Sequence, residues 1–536
     1  MDGMKLAKYD FRSKQDYIYK TNKIKEIVGA SEIITYAYND FFEALKEEGI
    51  VVDNGYAIDG KCPAGKACAF VNGSAPRYIN NPDMEFTPDF PDGLDGKIIY
   101  IGGGNLYMLW KDETMACGAS GILCKMLREK AYSLSAVCGM TEYSGNYSDD
   151  MVKLDKDFER FKVSVPPFLP TAMLPFSEID RRTSLPIAHK YGEKGSYQYL
   201  VGKESISEES FLKRRQYRAT HGDIREYLDD MVTEKGRESL LAVIYIDGNN
   251  MGVRVKNKME PKDASGKGQP VTDYVESVKR IREFSNFIQD SFVTNTRNAI
   301  DDRIYGILKR KQYGNNEVTP DQMIELRREA DRRVRWIVSG GDEITLICNA
   351  RDVLEVLDAY FNELVKDNKK DEPENNNTAC AGVAIFHSHF PFSKAYEIAE
   401  ECCENAKKKN RRNDSNNCLV DFQYIYAGVT GDLDSMRKQD GMKMARPYLV
   451  FGNAADIPSL TVDFKMRAER LKKIGRANIK NLASKLFGSD EEYRFEIERL
   501  NSLYDSAELK SNYSEDRKYL LDIAQFYDVW FSKEVK

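Results

Sequence analysis

Three acidic side chains carry the most definite chemistry in this sequence. Asp247 closes the apolar run Leu240–Ile246 and opens the loop Asp247-Gly-Asn-Asn-Met-Gly252, while Asp342 and Glu343 close the segment Ser339-Gly-Gly-Asp-Glu343. A hydroxyl that attacks the α-phosphate of a nucleoside triphosphate has to approach an anion. Two divalent cations about 3.5–4 Å apart overcome that repulsion, one lowering the pKa of the hydroxyl and the other stabilising the departing pyrophosphate. Mg2+, or Mn2+ in its place, takes hard oxygen ligands and keeps several waters, so two or three carboxylates suffice for the pair. Asp247, Asp342 and Glu343 supply them, and Ile246, next to Asp247 on the strand, is included in the metal set.

The remaining candidates face the nucleotide. Gly340 and Gly341, preceded by Ser339, remove side chains where a nucleotide lies against backbone. Gly248, Asn249, Asn250 and Gly252 offer backbone N–H groups and two amides to a triphosphate. Lys407, Lys408 and Lys409 end a helix. One of these ammonium groups can reach back to the β- and γ-phosphates, or all can sit at a helix C-terminus, which favours cations anyway. Lys407 and Lys408 are kept as nucleotide contacts. Gly-Gly-Asp-Glu taken alone is an ordinary tight turn. The metal reading is preferred because the surrounding elements bring Asp247 beside that turn.

Those elements are read from periodicity. Leu240–Ile246 is a buried strand, and a helical region with Val275, Val278, Ile281, Phe284 and Ile288 on one face follows it. Val334–Val338 and Ile344–Cys348 form a hairpin around the glycines. Arg351–Val365 is an amphipathic helix, 366–377 a polar loop, Cys380–Phe386 a strand, and Ser393 caps the next helix; Leu419–Tyr426 is a further strand. The order β-α-β-β-α-β, then α-β, is the split βαβ or ferredoxin-like arrangement, in which the first and third strands are central neighbours. Asp247 then ends beside Asp342 and Glu343.

The first part of the chain echoes this pattern. Lys23–Leu45 and Ala116–Ser133 read as helices, and Lys97–Ile101 and Leu106–Trp110 as strands flanking Gly102-Gly-Gly-Asn105, where Asn105 replaces the acids. This is a pseudo-repeat with one live and one silent unit. Phe161–Phe176 is Pro-punctuated linker, 177–235 is charged and mostly helical, and 460–536 is a charged helical bundle. Lys213-Arg-Arg215 and Arg332-Arg333 read as solvated helix faces.

Composition sets the outer limits. Of 536 residues, 42% are hydrophobic and 31% charged, with a net charge of −6, which excludes a wholly disordered chain and a uniformly basic nucleic-acid coat. The apolar runs are too short for a membrane span and the first ten residues hold no signal core, so a cytoplasmic protein without a membrane partner is expected. The ten cysteines form no disulfide framework; Cys62, Cys68, Cys117, Cys124 and Cys138 lack zinc-knuckle spacing and are expected as buried thiols, without zinc. His387 and His389 are read as structural.

Asp247-Gly-Asn-Asn-Met-Gly252, Ser339-Gly-Gly-Asp-Glu343, Val420-Asp-Phe-Gln423, Ala445-Arg-Pro-Tyr448, Asn22-Lys-Ile-Lys-Glu-Ile-Val-Gly-Ala-Ser31 and Gly102-Gly-Gly-Asn105 together resemble the large polymerase/cyclase subunit of type III CRISPR effector complexes. The resemblance runs from about residue 10 to 450. It implies an α+β chain: a first, silent palm over residues 1–160, a linker and helical part over 161–235, a second palm/cyclase with the Gly-Gly-Asp-Glu hairpin over 236–455, and a helical domain over 456–536. It implies synthesis of cyclic oligoadenylate messengers from ATP with two Mg2+, with metal on Asp247, Asp342 and Glu343 and phosphate on the 248–252 loop and a lysine near 407. Guide RNA, target RNA, other effector subunits and a second copy of the chain are the implied partners. Three departures stand out. No adjacent His-Asp pair marks the nuclease domain of many relatives, which also leaves a standalone enzyme open. The zinc-binding cysteine cluster is not intact. Glu343 stands where many relatives have aspartate, which displaces the carboxylate by about 1.5 Å. The competing readings are an RNA-binding scaffold of weak activity and a GTP-using dinucleotide cyclase.

Overall fold

The computed structural model describes residues 3–53, 86–164, 177–191, 204–221, 228–232, 239–261, 268–369, 376–412, 416–426, 431–439, 444–504 and 517–531. Their contacts divide them into two units. One takes residues from 1–227, 251–294 and 337–342, the other from 228–250, 295–336 and 343–536.

The first unit is built on strands β1 (Lys5–Arg12), β2 (Val52–Asp53), β3 (Gly96–Gly102), β4 (Asn105–Trp110) and β5 (Ser135–Glu142), in the order β2-β3-β4-β1-β5. Ignoring the short edge strand β2, this is the split βαβ order, with the glycine hairpin β3–β4 beside β1. Leu6, Ile99, Tyr107 and Leu109 bury one face of this sheet against Tyr147, Leu154, Tyr274 and Val278. The expected helix near Lys23 runs Ile24–Glu47 and that near Ala116 runs Glu113–Lys130. Sequence reading did not find β1 or β5. Lysine, aspartate and arginine interrupt the apolar pattern of the first, and glycine and small polar residues dilute the second.

Several expectations for this unit need correction. Phe161–Ser164, expected as linker, closes the helix Tyr147–Ser164; residues 165–176 lie outside the described residues. The expected helical stretch 177–235 holds a small sheet, β6 (Ile179–Asp180), β7 (Leu185–His189) and β8 (Ile206–Ser207), ahead of the helix Glu208–His221. Lys213 and Arg214 on that helix are buried, not solvated. The Lys213 ammonium donates to Glu209 at 2.7 Å and to the Tyr17 carbonyl at 2.6 Å, and Arg214 pairs with Glu26 at 2.6 Å and Glu204 at 2.8 Å. A charge run looks alike in sequence whether its acids are far or near; here Glu26 comes from another helix, 188 residues away. Cys117 and Cys124 are exposed and Cys138 is half-buried, so the buried-thiol expectation fails for them, and Cys62 and Cys68 lie outside the described residues.

The second large sheet holds β9 (Leu240–Gly248), β10 (Val334–Gly340), β11 (Glu343–Asn349), β12 (Ala379–His387), β13 (Cys418–Tyr424) and β14 (Tyr448–Phe451), in the order β10-β11-β9-β12-β13-β14. The first four have the split βαβ order, and β9 and β11 are central neighbours as expected. Leu241 through Ile246 are all buried because helices cover the sheet, which is why the strand reads as an unbroken apolar run. Leu241, Val243, Ile244 and Ile246 each contribute about 1.5–3 kcal/mol on burial, so the register of β9 is firmly held. The helix Phe392–Arg412 packs on β12 through Ala395, Ala399, Cys403 and Ala406. Ser393, expected as its cap, lies inside its first turn. His387 and His389 are exposed with ring centres 5.3 Å apart and tilted by 33°, and the His387 Nδ1 accepts from the His389 backbone N–H. Among the described residues, no helix is long and apolar enough to cross a membrane.

Small residues bring that helix unusually close. A Cβ built on Gly382 of β12 would lie 1.8 Å from the Ala399 carbonyl oxygen and 2.4 Å from the Cys403 nitrogen. Both are backbone atoms and cannot turn aside. Gly382→Ala is therefore expected to cost about 3 kcal/mol or more, the upper end for overpacking, read as a lowered midpoint in urea unfolding.

Candidate functional site

Topology brings the second unit's functional side chains together. β9 runs antiparallel to both β11 and β12, so its C-terminal end meets the start of each: Asp247 is opposite Glu343 on one side and Cys380 on the other. The helix Phe392–Arg412 runs back along β12, which delivers its last turns to the same end. There the Lys407 ammonium lies 2.6 Å from Asp247 Oδ2 and donates to the Gly248 carbonyl at 3.0 Å. The side chains of Lys407 and Asp247 are 17% and 30% exposed, so the pair is sheltered but reachable.

Tyr245 is two residues before Asp247 and thus on the same face of the strand. Burial, and then the negative charges of Glu343 and Asp247, push its phenol well above the ordinary range. The Cys380 thiol is pushed up to about 12 by burial. Neither is a nucleophile in this state. Ile246 sits inside the ladder between Ile344 and Ala381.

The loop after β9 is held by an asparagine network. The Asn249 backbone N–H donates to the Thr378 carbonyl at 2.9 Å, and its side-chain amide donates to Thr378 Oγ1 at 3.2 Å and the Asn417 carbonyl at 2.9 Å. Asn410 donates to that same carbonyl at 2.9 Å. Asn249 is 6% exposed, so its amide fixes the loop and does not face a triphosphate. Asn250 is exposed and adopts φ +55°, a left-handed conformation asparagine tolerates. These two adjacent amides, alike in sequence, differ in role because only one points inward.

In the first unit, Gly341 has φ +65° and lies against Gly103, the tip of the other glycine hairpin, and Gly340 is exposed beside half-buried Ser339. Asp342 interacts electrostatically with Arg254, whose guanidinium lies 5.8 Å from the Phe284 and Phe287 ring centres; burial lowers its pKa and Asp342 opposes that. Gly252 opens the helix Met251–Met259 with free space around it. Arg254 was missed from the sequence, because one arginine on a helix carries no motif; the signal lay in its two-residue distance from the loop and in the aromatic pair Phe284 and Phe287.

Lys408 is exposed, and Lys409 pairs with Asp456 at 3.1 Å, so among the three lysines Lys407 is the one turned to the site. Among the described residues, no group of three or more His, Cys, Asp or Glu side chains is placed to hold a metal. What the second unit shows is the pair Asp247 and Glu343 with an ammonium on it. That donor set suits a hard cation, since Lys407 is held by a carboxylate and a carbonyl oxygen, the atom types that Mg2+ takes.

Residues 240–416 match the family described as Cas10/Cmr2, second palm domain. That stretch of the chain is similar to this family's second palm domain. The fold is similar to that of crystal structures of a Csm1–Csm4 cassette: in complex with cA4 (12% identity, 97% of this chain and 69% of that chain, TM-score 0.45), apo (13%, 97% and 69%, 0.46) and in complex with one ATP (11%, 97% and 69%, 0.46). No curated protein matches the chain.

Two further motif segments flank this palm as framework. Asp421 of Val420–Gln423 pairs with Arg437 at 2.7 and 3.0 Å and accepts from Asn405 at 2.6 Å. In Ala445–Tyr448, the backbone N–H groups of Ala445 and Arg446 and the Tyr448 hydroxyl all donate to Asp522 Oδ2, at 2.9, 3.1 and 2.8 Å. Both carboxylates are fully buried and spent on structure.

Asn249→Ala removes two buried hydrogen bonds, those to Thr378 Oγ1 and to the Asn417 carbonyl, which keeps only its bond from Asn410. A loss of about 1–3 kcal/mol is expected, read by urea unfolding of the full chain, with any loss of nucleotide affinity following from the displaced loop.

Proposed function

We propose that the chain is a divalent-cation-dependent nucleotidyltransferase that joins nucleoside triphosphates through their α-phosphates, with ATP as substrate and cyclic oligoadenylate as product. The observation that carries this reading is the register that sets Asp247 against Glu343 at the open end of β9, with Lys407 on the same spot. The family of the second palm agrees with it.

Asp247 and Glu343 would hold the metal, with Asp342, the preceding residue of the hairpin, as the third acid. When bound, the cations lower the pKa of the attacking hydroxyl and neutralise charge on the leaving pyrophosphate. Gly340 and Gly341 leave room for the nucleotide against the hairpin backbone. Lys407 offers an ammonium to the triphosphate, and Asn249 keeps the loop below it rigid. The new bond joins the hydroxyl oxygen to the α-phosphorus, the bond to the bridging oxygen breaks, and the hydroxyl proton leaves to solvent. RNA and other subunits of a type III CRISPR effector, or a second copy of the chain, are the proposed partners.

Mass spectrometry of products from each of the four triphosphates with Mg2+, with and without RNA, tests the proposal. Adenylate oligomers are expected from ATP, and Asp247→Asn or Glu343→Gln should lower the rate more than roughly 100-fold, beyond the usual cost of losing an outer-shell partner. Unchanged turnover in both variants would refute the assignment, and a GTP dinucleotide would replace the product named here.

A further inference from the structure

Lys407 occupies the oxygens that a divalent cation would take. Its ammonium is 2.6 Å from Asp247 Oδ2 and 3.0 Å from the Gly248 carbonyl. The first unit repeats the device. β1 has the place in its sheet that β9 has in the other, and Asp10 follows the Tyr9–Leu106 pair, one step from Asn105. Asp10 is held by Lys14 at 2.6 Å and Lys162 at 3.6 Å. Both central strands thus carry, near their C-terminal ends, an aspartate gripped by lysine. They differ in the facing residue, which is Glu343 in the second unit and Asn105 in the first.

We propose that Lys407 is a resident cation of the nucleotide-free site, which a divalent ion has to displace from Asp247 and which then passes to the triphosphate. The proposal rests on the nucleotidyltransferase reading above. An ammonium and a divalent cation repel each other across a shared carboxylate oxygen. The metal alone therefore binds against Lys407, whereas a triphosphate gives the displaced ammonium a new partner. Metal and nucleotide become coupled through one side chain, and such coupling is reciprocal. The first unit, with two ammonium groups on Asp10 and an amide in place of the second acid, has no such exchange to offer.

The test is Mn2+ binding to the full chain, read from the electron paramagnetic resonance signal of free Mn2+, with and without an ATP analogue carrying a methylene between its α- and β-phosphorus. Wild type should bind Mn2+ weakly alone and roughly tenfold or more tightly with the analogue, within the usual range of coupling between sites. Lys407→Met should bind Mn2+ alone roughly tenfold more tightly than wild type and gain less than about threefold from the analogue. Lys407→Gln, uncharged but still a donor, should match it should the methionine variant be unstable, and Lys407→Arg should keep the wild-type pattern. If neither uncharged variant binds Mn2+ more tightly than wild type, while Asp247→Asn abolishes binding, the exchange is overturned and the nucleotidyltransferase reading stands. Binding indifferent to Asp247→Asn overturns that reading and the exchange with it.

Discussion

The backbone ladder β11–β9–β12 is the constraint on which the second unit depends. With six consecutive buried side chains from Leu241 to Ile246, a slip of one residue would turn every one of them to the opposite face and move Asp247 off Glu343. Hydrophobic burial thus fixes the place of the charged groups. The helix Phe392–Arg412 follows from the same logic. Its alanines and cysteines seat it on Gly382, and that seating sets where Lys407 falls.

Much of this was legible in the sequence, and the reasons are physical. Leu240–Asp247 reads as a buried strand because both faces of β9 are covered, and the hairpin Val334–Asn349 reads through its glycines. The α+β class and the neighbouring of first and third strands followed from element order alone. β1 stayed hidden because Lys5, Lys8 and Asp10 break its apolar pattern; all three find ion-pair partners from elsewhere in the chain. The small sheet β6-β7-β8 stayed hidden because two of its strands are two residues long.

For the candidate site, sequence placed Asp247 and Glu343 at neighbouring strand ends but could not say which groups each would face. Asn249 and Asn250 are adjacent and of one type, yet one is spent on Thr378 and Asn417. Lys407, Lys408 and Lys409 are indistinguishable as letters, and only the helical phase turns the first to Asp247. Partners such as Glu26 for Arg214, or Asp522 for Arg446, come from distant segments that local pattern does not connect. Sequence gives the residue type, and the fold decides whether that residue is structural or available.

Asp522 carries a consequence for biogenesis. Its carboxyl, fully buried and pushed up by that burial, collects two backbone N–H groups and a hydroxyl from the segment leading into edge strand β14, 74 to 77 residues upstream. Trp530 adds a bond from its indole N–H to the Ala350 carbonyl, 180 residues upstream. A ribosome therefore finishes β14 well before the group that ties it down has been made. Until the helix Leu520–Phe526 emerges, those donors lack their carboxylate, so this corner of the fold is completed late in synthesis.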